Sequence, residues 1–182
     1  MTEVAVFVGS LRKDSFSRKV AKALVRLTPS LSFNFLDIGK VSYFNQDLED
    51  APPADWVTLR EAIARADAVL FVTAEYNRSV PGVLKNAIDV ASRPYGKGAL
   101  LNKPAGVVST SIGAIGGFGA NHHLRQSLSF LNMPVLAQPE AYIGNTGSLF
   151  DDAGELTNAD TRKFLAEYGK AFTAHVKKCL DK

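Results

Sequence analysis

The chain has 182 residues, of which 46% are hydrophobic and 21% are charged, and its formal net charge is +3. This length predicts a single domain over residues 1–182, and the scattered basic residues argue against nucleic-acid binding. The single cysteine cannot form an internal disulfide. No apolar stretch is as long as a membrane-spanning helix requires, and the first residues lack the basic segment of a secretory signal. We therefore expect a cytoplasmic protein without a membrane anchor.

Stretches typical of strands and helices alternate five times along the chain. Apolar residues at helical spacing lie between the strands, as in Val20, Ala23, Leu24 and Leu27. This alternation predicts an α/β fold, an open parallel sheet with helices on both faces. The expected strands are residues 3–8, 32–37, 67–73, 104–110 and 134–143. The turn-rich segment 144–158 is expected to form a surface excursion.

The loop after the first strand combines hydroxyl and basic side chains. Ser10, Arg12, Ser15 and Ser17 follow the strand at once and precede an amphipathic helix. A helix N-terminus presents free backbone N–H groups and the positive end of its dipole to an anion. The loop therefore suits a phosphate monoester, and the alternative is an ordinary strand–helix connection with a serine cap.

Two common phosphate-binding motifs are absent from this loop. It lacks the Gly-Lys-Ser/Thr of a Walker A sequence, which disfavours a nucleoside triphosphate with magnesium. After Gly9 the next glycine is Gly39, so the glycine spacing that binds a dinucleotide pyrophosphate is also absent. A hydroxyl-rich loop holds a terminal phosphate through side chains, and among common cofactors flavin mononucleotide (FMN) fits this description best.

Two further loops of small polar residues follow the third and fourth expected strands. They are residues 73–82 and 109–117, and in a parallel sheet they belong to the same edge as the first loop. Turns use the same residue types, so each loop alone has a structural explanation. Three such loops together favour a planar ligand, because a flat ring between close backbones needs small residues and polar groups at its edge. The isoalloxazine ring of FMN has this requirement.

Several segments carry a family resemblance that extends over essentially the whole chain. They are Gly9-Ser10-Leu11-Arg12, Glu75-Tyr76-Asn77, Ser79-Val80-Pro81-Gly82 and Leu84 to Asp89, supported by Tyr43 to Glu49, Gly116-Gly117, His123-Leu124-Arg125 and Pro139-Glu140. In these segments the chain resembles the NAD(P)H-dependent FMN reductase family, a flavodoxin-like group that includes soluble quinone and chromate reductases.

The resemblance implies a flavodoxin-like three-layer sandwich with a five-stranded parallel sheet of order 2-1-3-4-5, and FMN bound without a covalent link. The residues that it places at the phosphate are Ser10, Arg12, Ser15 and Ser17, with Phe16 beside them. Those that it places at the ribityl chain and ring edge are Glu75, Tyr76, Asn77 and Arg78. Those that it places on the opposite side of the ring are Ser109, Ser111 and Gly113. It also implies a homodimer or a tetramer, with flavin sites near the subunit interface.

Two positions depart from the family pattern. Ala74 stands where a proline is common, and Arg78 stands where close relatives often have an aromatic residue. An aromatic residue there could bridge subunits, so the arginine bears on the tetramer. We expect Arg78 to meet an acidic group such as Glu140, or the phosphates of the cofactor.

The sequence shows no Ser-His-Asp or Cys-His arrangement, and the adjacent His122 and His123 would point in different directions on a helix. We therefore expect no metal site, and we assign no catalytic side chain because a flavin carries the chemistry itself. The resemblance implies hydride transfer from NAD(P)H through flavin N5 to quinones or other acceptors, such as chromate, ferric chelates, azo compounds or free flavin.

Two other function classes are compatible with the same motifs. One is a flavodoxin-type electron carrier that docks on protein partners, and the other is a flavin-free binding or regulatory module. Carriers commonly dock through strong acidic surface charge, which a chain of net charge +3 with scattered charges does not offer.

Overall fold

A five-stranded parallel sheet forms the centre of the computed structural model, which describes residues 1–181. The strands are Glu3–Gly9 (β1), Ser32–Phe35 (β2), Ala68–Ala74 (β3), Ala105–Thr110 (β4) and Ala141–Ile143 (β5). Their order across the sheet is β2-β1-β3-β4-β5, and each neighbouring pair is parallel. The expected order is therefore confirmed, and the first four strands agree with their predicted ends to within two residues.

Helices cover both faces of this sheet and give three layers. They are Phe16–Leu27 (α1), Ala54–Arg65 (α2), Gly82–Ala91 (α3), Phe118–Phe130 (α4) and Ala159–Leu180 (α5). Side chains of α1 and α5 share one hydrophobic core with the sheet, whereas those of α2, α3 and α4 share the core on the opposite face. Parallel strands need such crossovers, because consecutive strands must start at the same edge of the sheet.

The inner strands bury side chains on both faces, which explains their nearly continuous apolar sequences. In β1, Val4, Val6 and Val8 pack in the core beneath α1 and α5, and Ala5 and Phe7 pack in the core beneath α2, α3 and α4. Successive side chains of a strand point to opposite faces, so one apolar run supplies both cores.

The fifth strand is much shorter than the predicted range of residues 134–143. An isolated parallel bridge joins Val135 to Ala105, and regular pairing with β4 resumes only at Ala141. Pro139 lies between these two points and has no N–H group to donate to the ladder. The predicted extent of this strand was wrong because an apolar run does not show where its backbone pairing is interrupted.

The topology brings three loops together at the carboxyl edge of the sheet. Strands β1, β3 and β4 are neighbours, so the loops that follow them leave the sheet side by side. Open parallel sheets bind ligands at this edge. Within residues 1–181, none of the helices combines the length and the apolar character that crossing a bilayer requires.

Candidate functional site

A cleft of about 230 Å³ opens at this carboxyl edge, between α1 and the ends of the inner strands. Two thirds of its lining consists of residues predicted from the sequence: Ser10, Arg12, Ser15, Phe16, Ser17, Glu75, Tyr76 and Ser111. The rest of the lining is Ala74, Thr110, Ile112 and Thr146. The three loops singled out in the sequence therefore do meet in one depression.

The first loop turns directly into the N-terminus of α1. The Ser15 side chain caps this helix by accepting a hydrogen bond from the Arg18 N–H (3.2 Å). The N–H groups of Phe16 and Ser17 precede the first hydrogen bonds of the helix, so they are available to an anion. The loop is therefore both a serine-capped connection and a candidate phosphate site, because the capped end of α1 faces the cleft.

A chain of hydroxyl groups ties the start of α1 to the end of β4. The Ser17 and Thr110 hydroxyl oxygens lie 2.7 Å apart, and the Thr110 hydroxyl donates to the Thr73 carbonyl (3.3 Å). All three residues are buried. Either hydroxyl group can be the donor in the Ser17–Thr110 bond, so the Ser17 hydroxyl can donate to a ligand in the cleft when Thr110 donates to it.

The loop after β3 forms a tight turn, and only its first half reaches the cleft. Tyr76 and Ser79 exchange two backbone hydrogen bonds (3.1 and 3.0 Å). Between them Asn77 and Arg78 adopt left-handed conformations, with φ of 52° and 62°. These two predicted site residues are exposed at the tip of the turn and lie outside the cleft of this chain.

Glu75 lines the cleft while its carboxylate supports the neighbouring helix. One carboxylate oxygen accepts the Ala120 N–H in the first turn of α4 (2.9 Å), and the other accepts from the Arg78 guanidinium (3.2 Å). A carboxylate is stabilised there by the positive end of the helix dipole. Within residues 1–181, Arg78 pairs with an acid as expected, but that acid is Glu75 and not the suggested Glu140.

Two residues predicted in the loop after β4 lie outside the cleft. Ser109 is fully buried and donates its hydroxyl to the Gly116 carbonyl (2.7 Å), while the Asn121 amide donates to it (3.2 Å). The strand turns this side chain toward α4, so it does not line the cleft, and its place beside a flavin ring stays a prediction. Gly113 is exposed and its N–H donates to the Ser111 hydroxyl (3.1 Å), so it shapes the loop without lining the cleft.

Thr146 is a cleft residue that sequence reasoning missed. It begins a short 3₁₀ turn after β5 and is fully buried, although segment 144–158 was expected at the surface. Among residues 1–181 its hydroxyl oxygen has no hydrogen-bond partner. A buried polar group left in this state costs about 1–3 kcal/mol. The sequence Asn145-Thr146-Gly147 is typical of a turn and carries no signal of burial.

The rim of the cleft is more apolar than its floor. Ile112 is 73% exposed and Tyr76 is also exposed, and both line the cleft. Exposed large apolar side chains next to a polar depression are typical of a ligand site. The cleft therefore offers hydroxyl and cationic groups for a phosphate and apolar groups for a flat ring.

Comparison with known proteins gives a consistent result over most of the chain. Residues 2–148 match the family model described as NADPH-dependent FMN reductase. The chain is 60% identical over 176 residues to a quinone reductase of Pseudomonas putida, covering 96% of this chain and 94% of that protein. It is 44% identical over 176 residues to a 2-hydroxy-1,4-benzoquinone reductase of a Burkholderia species, covering 96% of each.

A solved structure shows the same fold over its full length. It is FerB, a flavoenzyme NAD(P)H:(acceptor) oxidoreductase from Paracoccus denitrificans, with a TM-score of 0.92, 41% identity and 98% of each chain covered. The flavodoxin-like fold expected from the motifs is thereby confirmed. The resemblance noted in the sequence is also confirmed: the chain belongs to the NADPH-dependent FMN reductase family.

Proposed function

We propose that this protein is an FMN-dependent NAD(P)H:acceptor oxidoreductase that reduces quinones. The observation that carries the proposal is the hydroxyl-lined cleft into which the N-terminus of α1 opens. Relatives that are 60% and 44% identical bear the names of quinone reductases. Membership of the NADPH-dependent FMN reductase family supports both the cofactor and the electron donor.

The donor groups in the cleft fit the phosphate end of FMN. Ser10, Ser15 and Ser17 supply hydroxyl groups, Arg12 supplies a cation, and the first turn of α1 supplies backbone N–H groups. A phosphate monoester accepts hydrogen bonds from all three kinds of donor. Among residues 1–181, Glu75 is the one carboxylate that lines the cleft, and it is already bonded to Ala120 and Arg78.

The apolar rim fits the ring end of the cofactor. Bound FMN would supply two-electron hydride chemistry at N5, between NAD(P)H and an acceptor. Tyr76 and Ile112 line the cleft with apolar surface, and Arg12 and the N-terminus of α1 bring positive charge to it. The protein's contribution is therefore to hold and orient the cofactor and its substrates, and we assign no catalytic side chain.

Quinones are the acceptors that the apolar rim suits best, because a flat apolar ring buries surface against Tyr76 and Ile112. Reduction of chromate, ferric chelates, azo compounds or free flavin stays a prediction. Hydride transfer from NAD(P)H through flavin N5 to the acceptor and a cytoplasmic location also stay predictions. We also keep the prediction that residues 1–182 act as one FMN-binding domain.

A homodimer is proposed through the face that carries α3 and the end of α4. A groove of about 730 Å³ lies there, lined by apolar side chains that include Phe44, Ile88 and Leu131. Tyr95 and Phe130 are each 76% exposed beside it. Paired aromatic residues at an apolar groove are typical of interface centres. Sedimentation velocity should show a dimer that Phe130→Glu dissociates, and a wild-type monomer would refute this proposal.

The phosphate assignment is tested by comparing FMN with riboflavin, which lacks the phosphate. The flavin-free protein is titrated with each, following the quenching of flavin fluorescence. Arg12→Ala should weaken FMN binding by about 1.5–3 kcal/mol, the range for a charged hydrogen bond, and leave riboflavin binding unchanged. Arg65→Ala, in α2 and outside the cleft, is the control. Equal loss for both flavins would show that Arg12 does not hold the phosphate.

The activity is tested on the same preparation. Oxidation of NADH and NADPH is followed with a soluble quinone and no protein partner. Rapid turnover excludes a pure electron carrier, whereas FMN uptake without turnover would favour that alternative. A colourless protein that takes up no FMN would favour a flavin-free module and overturn the proposed function.

A further inference from the structure

Thr146 lines the cleft, and its hydroxyl group is buried. Its backbone is held in place, since its N–H donates to the Ser111 carbonyl (3.2 Å) and its carbonyl accepts from the Leu149 N–H (3.4 Å). The residue is fully buried and lines the same depression as Ser17 and Thr110. Its position is therefore well defined by contacts that do not involve the side chain oxygen.

Four other hydroxyl groups of the cleft make hydrogen bonds within the fold, and the one on Thr146 does not. Ser15 caps α1, Ser17 and Thr110 bond to each other, and Ser111 accepts from Gly113. Thr146 Oγ1 has no such partner in the part of the chain that the structure describes. Burying a hydroxyl group without a partner destabilises the folded protein. The cost has a functional explanation if a ligand supplies the partner.

We propose that the Thr146 hydroxyl donates a hydrogen bond to bound FMN, at a phosphate or ribityl oxygen, and so adds a fourth loop to the cofactor site. This inference rests on the proposed function. Thr146 bonds to Ser111 through its N–H and lines the cleft together with Ser17 and Thr110, a hydroxyl-rich set that matches the oxygen-rich end of FMN rather than its ring. The loop after β5 then contributes to binding together with the loops after β1, β3 and β4.

The proposal predicts opposite effects on stability and on binding when the hydroxyl is removed. Thr146→Val keeps the shape of the side chain and deletes the unpaired group. The flavin-free variant should melt at the same temperature as wild type or higher, because no bond within the protein is lost. Its dissociation constant for FMN should rise about tenfold, the effect of one lost hydrogen bond.

A second pair of variants tests the same hydroxyl group in case the valine variant does not fold. Thr146→Ser and Thr146→Ala lack the same methyl group and differ only in the hydroxyl. The serine variant should bind FMN more tightly than the alanine variant by a similar factor. Thr28→Val is the matched control, because Thr28 is also buried but its hydroxyl donates to the Leu24 carbonyl (2.9 Å) at the far end of α1. It should lower the melting temperature and leave FMN binding unchanged.

The measurements are the melting temperature of flavin-free protein and fluorescence titrations with FMN and with riboflavin. A loss confined to FMN assigns the contact to the phosphate, and an equal loss for both flavins assigns it to the ribityl chain. Wild-type protein that binds FMN, with both hydroxyl-free variants binding it as tightly, would overturn this inference alone. Wild-type protein that binds no FMN would overturn the proposed function and the inference together.

Discussion

At the scale of single residues, Glu75 serves two neighbouring elements with one carboxylate. It lines the cleft after β3 and accepts the Ala120 N–H in the first turn of α4. We predict that Glu75→Ala lowers the free energy of unfolding by about 1–2 kcal/mol, because a helix N-terminus loses both an acceptor and a favourable charge. Urea denaturation of the flavin-free protein measures this loss.

Two controls separate capping from a general effect of removing an acid. Glu75→Gln keeps an acceptor oxygen and should lose less stability than the alanine variant. Glu61→Ala removes an exposed acid that lies 4.0 Å from Arg65, a pair worth about 0.3–0.5 kcal/mol. If Glu75→Ala costs no more than Glu61→Ala, the capping role is wrong.

Two tyrosines should make the fold sensitive to alkaline pH. Burial raises the pKa of Tyr142 to about 12, with Glu140 adding to the effect, and burial also raises the pKa of Tyr168 above its ordinary value of 10.0. The native state therefore favours the neutral phenols. Their contribution to stability is complete below pH 10.0 and is lost as the pH rises toward 12. Urea midpoints measured across this range should fall, and Tyr168→Phe should reduce the fall; a constant midpoint would contradict the prediction.

At the scale of elements, α5 crosses the end of α1 at a glycine. A Cβ at position 169 would lie 2.1 Å from the Thr28 hydroxyl oxygen. In an open helix, glycine to alanine stabilises by about 1 kcal/mol. Here we predict that Gly169→Ala destabilises by about 1–3 kcal/mol, because the added methyl group forces the two helices apart. Thermal and urea unfolding measure the change.

The contact itself is tested by removing the opposing group. With Thr28→Ala in the background, Gly169→Ala should cost less than it does alone, because the atom at 2.1 Å is gone. Gly82→Ala at the start of α3 meets no atom within 4 Å and should be neutral or stabilising. Additive costs at positions 28 and 169 would show that the two residues do not interact.

At the scale of the whole molecule, basic residues of the first loop and α1 share one groove with Arg162 of α5. It is lined by six cations, Lys13, Arg18, Lys19, Lys22, Arg26 and Arg162, and by only two acids, Asp14 and Glu155. The groove shares Ser15 with the cleft, so positive potential extends up to the site. Charge of this kind attracts anionic substrates and is screened by salt.

We therefore predict that kcat/KM for NADPH falls as ionic strength rises. Lys22→Glu should lower kcat/KM at low salt and weaken its salt dependence, since Lys22 lies in the groove and outside the cleft. Lys178→Glu is the control. It makes the same charge change in the last turn of α5, about 24 Å along the helix from Arg162 of the groove. Equal effects of the two variants, or no effect of salt, would show that the groove does not guide the donor.

The residues predicted for the site show which side chains a local sequence pattern can place at the cleft and which it cannot. Ser10, Ser15 and Ser17 could be placed at the cleft, because a strand, a polar loop and a helix N-terminus are consecutive in the sequence. Ser109 and Thr110 are adjacent; the sequence pointed to Ser109, whereas Thr110 lines the cleft. Ser109 points to the sheet face covered by α4, and Thr110 points to the face covered by α1. Which residue points to which face depends on how β4 packs between the two hydrophobic cores.

The sequence by itself determined the parallel sheet, the strand order implied by the family motifs, and the loop at the start of α1. These features depend on periodicity, on helix starts and on residues that are close along the chain. Only the tertiary structure decided that β5 is short, that Glu75 supports α4, that Thr146 is buried in the cleft and that Arg162 joins the cations of α1 in a groove. Such contacts join residues far apart in sequence, so they depend on strand register and helix packing, which no local pattern encodes.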